Sequence, residues 1–401
     1  MYKEPLIRGV FFIFNIMYKL YFLFGLFFVV SCDLSTNPIK SAIKNDEFLS
    51  KILKNKEQHE IQVIFTEISR NKDGEPEFRD FEFQVDEEKY FYPASTIKLP
   101  IIILTLNKIN ELKSTGLDIN LKSKIKLNSF NKKKQIIVKD SITSFQNLIS
   151  AVFLTSDNSA ANILIDFLGY NYFNTKMIKE GFTYTYLNHK FSPDQNISNN
   201  WEIKTLKDYL VSSNEEKVIV NAKGNILGLK KGEKKFKDGI VEDGSFDFSQ
   251  KNRSSIIDMH NILKKIIFPL KFNVEDAFNL NVEDYDFLRY WMSRFTHEDG
   301  GNKFTDDKKY FESYNKFFIH GLDTIVTNRN IRVYNKIGQA YGTSTDNAYI
   351  KNYQDNVEFF LTATIYTNKN NIINDNVYEY EETAIPFLAK LSLSLYNNLK
   401  Y

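Results

Sequence analysis

Residues 91–109 read FYPASTIKLPIIILTLNKI. After Pro93 the apolar positions Ile97, Leu99, Ile101 to Leu104, Leu106 and Ile109 run too long and too continuously for a strand, so the segment reads as a buried helix. Upstream, Glu60 to Ile68 and Phe78 to Val85 alternate apolar and polar residues around Asn71-Lys72-Asp73-Gly74, the pattern of an antiparallel hairpin with one face buried and one solvated. Downstream, Ser144 to Phe167 carries a second helical pair. Strand-like runs return at Arg332 to Lys336, Asn347 to Lys351 and Val357 to Tyr366, and a helical run from Tyr378 to Leu399 closes the chain. With strands at both ends and helices between them, the order predicts an α/β (α+β) fold of two lobes: an antiparallel sheet flanked by helices, and a mainly helical lobe inserted into it.

Composition narrows what such a chain does. Of 401 residues, 43% are hydrophobic and 25% charged, ordinary values for a globular chain. Lys and Arg number 52 against 50 Asp and Glu, a formal charge of +2, so no one-signed field marks a nucleic-acid partner. One cysteine, Cys32, excludes a disulfide within the chain and a cysteine-based zinc site. The five histidines, His59, His189, His260, His297 and His320, show no metal-ligand spacing, so neither metal nor cofactor is expected. A monomer is expected.

The first 31 residues are a separate object. From Met17 onward a positive residue (Lys19), an apolar run (Leu20 to Val30) and a small residue before Cys32 have the layout of a secretory signal, and the run is too short to span about 30 Å of hydrocarbon. Met1-Tyr2-Lys3 is echoed by Met17-Tyr18-Lys19, which points to Met17 as the initiator. Val29-Val30-Ser31-Cys32 resembles a bacterial lipobox, and that resemblance implies cleavage before Cys32, lipidation of its sulfur, and an exported, envelope-located protein held on a membrane. Residues 32–45 are polar and Pro-broken, a tether, with folded structure expected from Asp46. The main folded domain is then 46–398, with an α/β lobe from 46–94 and 326–398 and a helical lobe from 95–325. Asn188 to Lys251, rich in Asn, Lys and Gly, reads as long surface loops with short elements.

Three short motifs carry chemistry. Ser-x-x-Lys occurs six times in this lysine-rich chain, and context selects Ser95-Thr96-Ile97-Lys98, which opens the most apolar helix. Helical N-terminal amides direct positive potential at Ser95, and Lys98, three residues on, shares its face and could take its proton if burial lowers the ammonium pKa. Ser156-Asp157-Asn158 occurs once and precedes another helix, Ser159 to Leu168. Lys336-Ile337-Gly338 ends a strand-like run, where a cation can bind a carboxylate and a glycine lets substrate backbone approach the edge.

Together these resemble the S-x-x-K, S-D-N and K-T-G motifs of class A β-lactamases and penicillin-binding proteins. Ser156 follows Ser95 by 61 residues, a spacing that fits class A, and YPASTIKLP and LTSDNSAANILID extend the likeness. The resemblance implies that Ser95 forms an acyl-enzyme with a β-lactam, Lys98 and Ser156 relay protons, Asn158 binds the acyl amide, and Lys336 beside Gly338 holds the substrate carboxylate. The backbone N–H groups of Ser95 and Gln339 would form the oxyanion hole, worth about 3 to 4 kcal/mol per donor. Two positions depart from the pattern. Ile337 replaces the hydroxyl residue of K-T-G and cannot donate a hydrogen bond. Ser192, before Pro193, stands where the family has the glutamate that activates water for deacylation; Glu202, nine residues beyond Pro193, and Glu242, in the later insertion, could substitute only if the loop is rearranged. A penicillin-binding or carboxypeptidase-like enzyme acting on cell-wall peptides, and a non-catalytic surface lipoprotein that kept the fold, remain as alternatives.

Overall fold

Asn71 turns the chain through its own side chain: Oδ1 accepts from the backbone N–H of Asp73 at 3.0 Å and of Glu75 at 2.9 Å. Strands β1 (Gln62–Arg70) and β2 (Pro76–Phe83) therefore pair antiparallel, Val63 opposite Phe83. The computed structural model describes residues 37–131, 136–191, 199–207, 209–212, 226–273, 276–298, 310–321 and 330–400. The expected signal segment (1–31), the start at Met17, Cys32 and Ser192 lie outside them. Among the described residues no helix is long and apolar enough to cross a membrane.

The helices are α1 (Pro38–Asn45), α2 (Glu47–Leu53), α3 (Lys56–His59), α4 (Lys98–Ser114), α5 (Phe145–Thr155), α6 (Asn158–Leu168), α7 (Tyr170–Lys179), α8 (Ile256–Ile267), α9 (Val282–Met292) and α10 (Ile385–Lys400). Strands β3 (Lys124–Asn131), β4 (Ile136–Ser144) and β5 (Asn199–Thr205) form a three-stranded sheet, order β4-β3-β5, within the lobe read as mainly helical. Strands β6 (Ile331–Ala340), β7 (Thr343–Asn352) and β8 (Val357–Tyr366) join β1 and β2 in a five-stranded antiparallel sheet, order β6-β7-β8-β1-β2. Strand β6 is thus an edge. It turns into β7 through Tyr341 (φ +51°) and Gly342 (φ +83°), a two-residue loop whose positive φ angles match the strand twist.

Along residues 62–66 of β1 and along β7 and β8 the sheet is buried on both faces, which corrects the expectation of one solvated face there, whereas β2 keeps Glu77, Arg79, Asp80 and Glu82 exposed. Along β8, Phe359, Leu361 and Ala363 enter a core with α1, α2 and α10, whereas Phe360 points into the core of the helical lobe. The hairpin alternation misleads because α8 covers the second face with polar contacts: His260 bonds Thr66 Oγ1 at 2.7 Å through Nε2 and Thr362 Oγ1 at 2.8 Å through Nδ1. Burial holds this imidazole at a pKa of about 3, so it is neutral.

The tether expectation is corrected too. Pro38 begins a helix, where its missing N–H costs nothing, and Ile39, Ala42 and Ile43 fall on one fully buried stripe. Ordered structure therefore starts at least seven residues before Asp46. Helix α4 bears out its apolar reading, with Ile101, Ile102, Ile103 and Leu104 at 0% exposure. Such burial contributes roughly 1.5–3 kcal/mol per side chain, and Pro100 is tolerated because it lies in the first turn. The part of 188–251 that is described carries short strands, among them Lys230–Lys231 paired with Phe246–Asp247 and Lys234–Lys237 with Ile240–Asp243.

Candidate active site

Ser95 lies in a 3-10 turn, Ala94–Ile97, that leads into α4. The turn is closed on Pro93, whose carbonyl accepts from Thr96 Oγ1 at 2.6 Å and from Thr96 N–H at 3.0 Å. Ala94 is held at φ +47°, a left-handed conformation costing a non-glycine residue of order 1–3 kcal/mol. Ser95, next in the chain, is half-buried.

Ser156 occupies the second strained position, φ +55°, as the residue that caps the C-terminus of α5. It does not cap the following helix. Asp157 does, accepting from Ala160 N–H at 2.8 Å, which sets Asn158 as the first residue of α6. The left-handed Ser156 turns both its oxygens toward Lys98, whose Nζ donates to Ser156 O at 2.5 Å and lies 3.3 Å from Ser156 Oγ. Asn158 Oδ1 accepts from the same ammonium at 2.6 Å. From the sheet, Lys336 Nζ donates to Ser156 Oγ at 2.9 Å. One hydroxyl therefore stands between two lysine nitrogens supplied by different parts of the chain.

Both lysines are electrostatically costly. Lys98 is fully buried, and desolvation followed by the nearby positive charge of Lys336 pulls its pKa well below the usual range. Burial brings Lys336 to about 7, opposed by the negative charge of Asp346. Asp346 is itself at 0% exposure, accepting from Asn335 Nδ2 at 2.7 Å. Asn335 Oδ1 accepts in turn from the buried Lys316 at 2.7 Å. The downward shift moves Lys98 toward the neutral amine that a base requires, while Lys336 near 7 keeps a substantial charged fraction.

Gly338 is required by space. A Cβ there would overlap the Pro93 carbonyl oxygen and approach Thr96 N to 2.9 Å and Ser95 N to 3.0 Å. Its absence lets the edge strand lie directly on the serine turn. Gln339 follows, half-buried, its side chain bonded to Ser344 Oγ at 3.1 Å. Ile337 points to the other face of β6 and is 6% exposed in the apolar core shared with Val333 and Leu388. Packing accounts for its identity.

Ser95, Lys98, Ser156, Asn158, Lys336 and Gly338 are thus brought together. The direct bond expected between Lys98 and Ser95 is not made; among the described residues Lys98 bonds to Ser156 and Asn158 instead. Neither acidic substitute joins them: Glu202 pairs with Lys204 at 2.6 Å and Glu242 with Lys235 at 3.6 Å. Phe191 was not foreseen. Its ring lies 4.6 Å from Lys98 Nζ, and Asn162 holds its backbone through both N–H and C=O. Only its place in the loop before Ser192-Pro193 hinted at this. Lys316 and Asp346, also missed, lack any local signal.

Residues 44–269, more than half of the chain, match a family model described as the beta-lactamase enzyme family. The fold is similar to TLA-1, an extended spectrum beta-lactamase, at 15% identity and a TM-score of 0.51, covering 91% of this chain and 100% of that one. It is similar to PBP-A at 13% identity and a TM-score of 0.51, covering 91% and 96%. A mutant of PBP-A, in an acyl-enzyme complex with penicillin G, gives 12% identity and a TM-score of 0.52, with 91% and 96% covered. No curated protein matches the sequence. On the family match, the chain belongs to the beta-lactamase enzyme family.

Proposed function

We propose that the chain is a serine hydrolase of class A type that β-lactams acylate at Ser95. The observation that carries this reading is the Ser156 hydroxyl placed 3.3 Å from Lys98 Nζ and 2.9 Å from Lys336 Nζ. Neutral Lys98 accepts the Ser95 proton as Oγ attacks the lactam carbonyl, and Ser156 passes that proton to the ring nitrogen as the C–N bond breaks. Lys98 ends neutral, as it began. The Ser95 and Gln339 N–H groups receive the oxyanion, Asn158 takes the acyl amide, and Lys336 beside Gly338 takes the substrate carboxylate.

Turnover is slow on this reading. Ser192 is a poor general base near neutral pH, and Phe191 presents a hydrocarbon face to Lys98. That contact favours the second reading, an enzyme acting on cell-wall peptides and trapped by β-lactams. We further propose that cleavage before Cys32 and its lipidation place the domain on a membrane in the cell envelope. Purified protein incubated with a fluorescent penicillin should be labelled, and Ser95→Ala should abolish the label. An unlabelled wild type overturns the reading. Among labelled outcomes, fast release favours the lactamase and a persistent adduct the peptide enzyme.

A further inference from the structure

The segment 226–250 that interrupts the helical lobe packs against Tyr92, three residues before Ser95, through Phe248 at 6.0 Å between ring centroids. Tyr92 meets Tyr341 edge-on at 5.0 Å, and Tyr341 lies two residues beyond Gln339, in the loop that follows the edge strand. Phe246 and Phe248, from the interrupting segment, close the group: Phe246 lies 5.5 Å from Tyr341 and 4.7 Å from Phe248, and Phe248 meets Tyr341 at 5.4 Å. Tyr92 also stacks on His189 at 6.1 Å and 6°, and Asn252 fixes His189 by accepting from its N–H at 2.9 Å and donating to its C=O at 3.1 Å. These rings brace one another, so the wall is preorganised.

Lys251 stands on this wall. Its Nζ is 5.5 Å from both the Phe246 and Tyr341 ring centroids, and its single hydrogen bond, to Tyr341 Oη, is 3.5 Å long. The side chain is half-exposed and makes no ion pair with a carboxylate among the described residues. Phe246 and Tyr341 are half-exposed as well, whereas Tyr92 and Phe248, beneath them, are 6% and 1% exposed. A satellite core needs the lower pair alone. The upper pair leaves aromatic surface and an uncompensated cation together at the open end of the edge strand.

We propose that Lys251, Phe246 and Tyr341 form a subsite for the acyl side chain of the substrate, selective for an arylacetyl group that carries a carboxylate beside its ring. The rings offer faces and edges to the aryl group and the ammonium pairs with its anion. The inference rests on acylation at Ser95. Its test compares benzylpenicillin with α-carboxybenzylpenicillin, which differ by one side-chain carboxylate, by following the acylation rate constant with intact-protein mass spectrometry. Lys251→Gln should lower the ratio of carboxylated to uncarboxylated rate constants about tenfold, equivalent to about 1.4 kcal/mol, and Lys251→Arg should restore it. Phe246→Ala should slow both penicillins. Acylation by both compounds with a ratio unmoved by Lys251→Gln overturns the subsite and leaves the acylation reading standing. Failure of both to acylate the wild type ends the acylation reading, and the subsite with it.

Discussion

Two buried lysines lie on either side of strand β6, and they differ in what surrounds them. Lys316, 1% exposed, donates to Met292 O and Asn335 Oδ1, both at 2.7 Å, and Asp346 lies next in the chain of bonds. Its pKa is brought to about 7 by burial, against the pull of Asp346 and Glu298. Lys98, 0% exposed, is bonded to neutral oxygens and faces another cation. The first lysine is compensated and enclosed. The second, beside a strained serine turn, has only the pull of Asp157 against its burial and the charge of Lys336. Burial of charge alone does not mark a candidate site; burial with the counter-charge outweighed, next to a hydroxyl, is the stronger pointer.

Substituting the two lysines in turn breaks this comparison if it is wrong. Lys98→Met should cut acylation by at least about a thousandfold, beyond 4 kcal/mol in barrier, yet change unfolding free energy by less than about 1 kcal/mol, since removal of a buried polar amine offsets the lost hydrogen bonds. Lys316→Met should do the reverse. It takes away one of the buried cations near Asp346, leaves Asn335 Oδ1 without its donor, and should cost about 3–5 kcal/mol in urea unfolding. Equal stability losses in both variants would erase the distinction.

A smaller effect concerns pH. The proposed acylation needs Lys98 neutral and Lys336 charged. Acylation by a carboxylate-bearing β-lactam should rise as pH climbs through the depressed pKa of Lys98, then fall about tenfold per unit once Lys336, at about 7 in the free protein, loses its proton. A flat profile from pH 6 to 9 would contradict these assignments. Asp346→Asn removes the charge that raises the Lys336 pKa, so the alkaline limb should move to lower pH by about one unit. A limb that stays in place would show that Asp346 acts on Lys316 alone. The smallest change is expected at Ile337. Its side chain is in the apolar core rather than the cleft, so Ile337→Thr should cost about 1–3 kcal/mol through a buried hydroxyl and alter acylation less than threefold. A large gain in acylation would return Ile337 to the cleft.

Much of the site was legible. Ser95, Lys98, Ser156, Asn158, Lys336 and Gly338 were found because helix-start context and motif order are local properties of a chain. The hairpin turn at Asn71 and the apolar helix from Lys98 were legible for the same reason, periodicity and turn chemistry being short-range. The second buried face of the sheet was not, because α8 meets β1 about two hundred residues away with His260 and Thr66, a polar contact that periodicity does not register. The helix at Pro38–Asn45 was missed because eight residues give too few turns for its stripe to outweigh a proline.

By itself the sequence determined which segments fold as strand or helix, and it placed the reactive groups at element boundaries, since propensity, capping and spacing act within a few residues. Tertiary structure alone decided that Ser156 would stand between Lys98 and Lys336, that Ile337 would turn into a core, that Phe191 would meet Lys98, and that Lys251 would meet Tyr341. Those outcomes depend on desolvation and on groups that meet only when distant segments pack, and no local pattern encodes either.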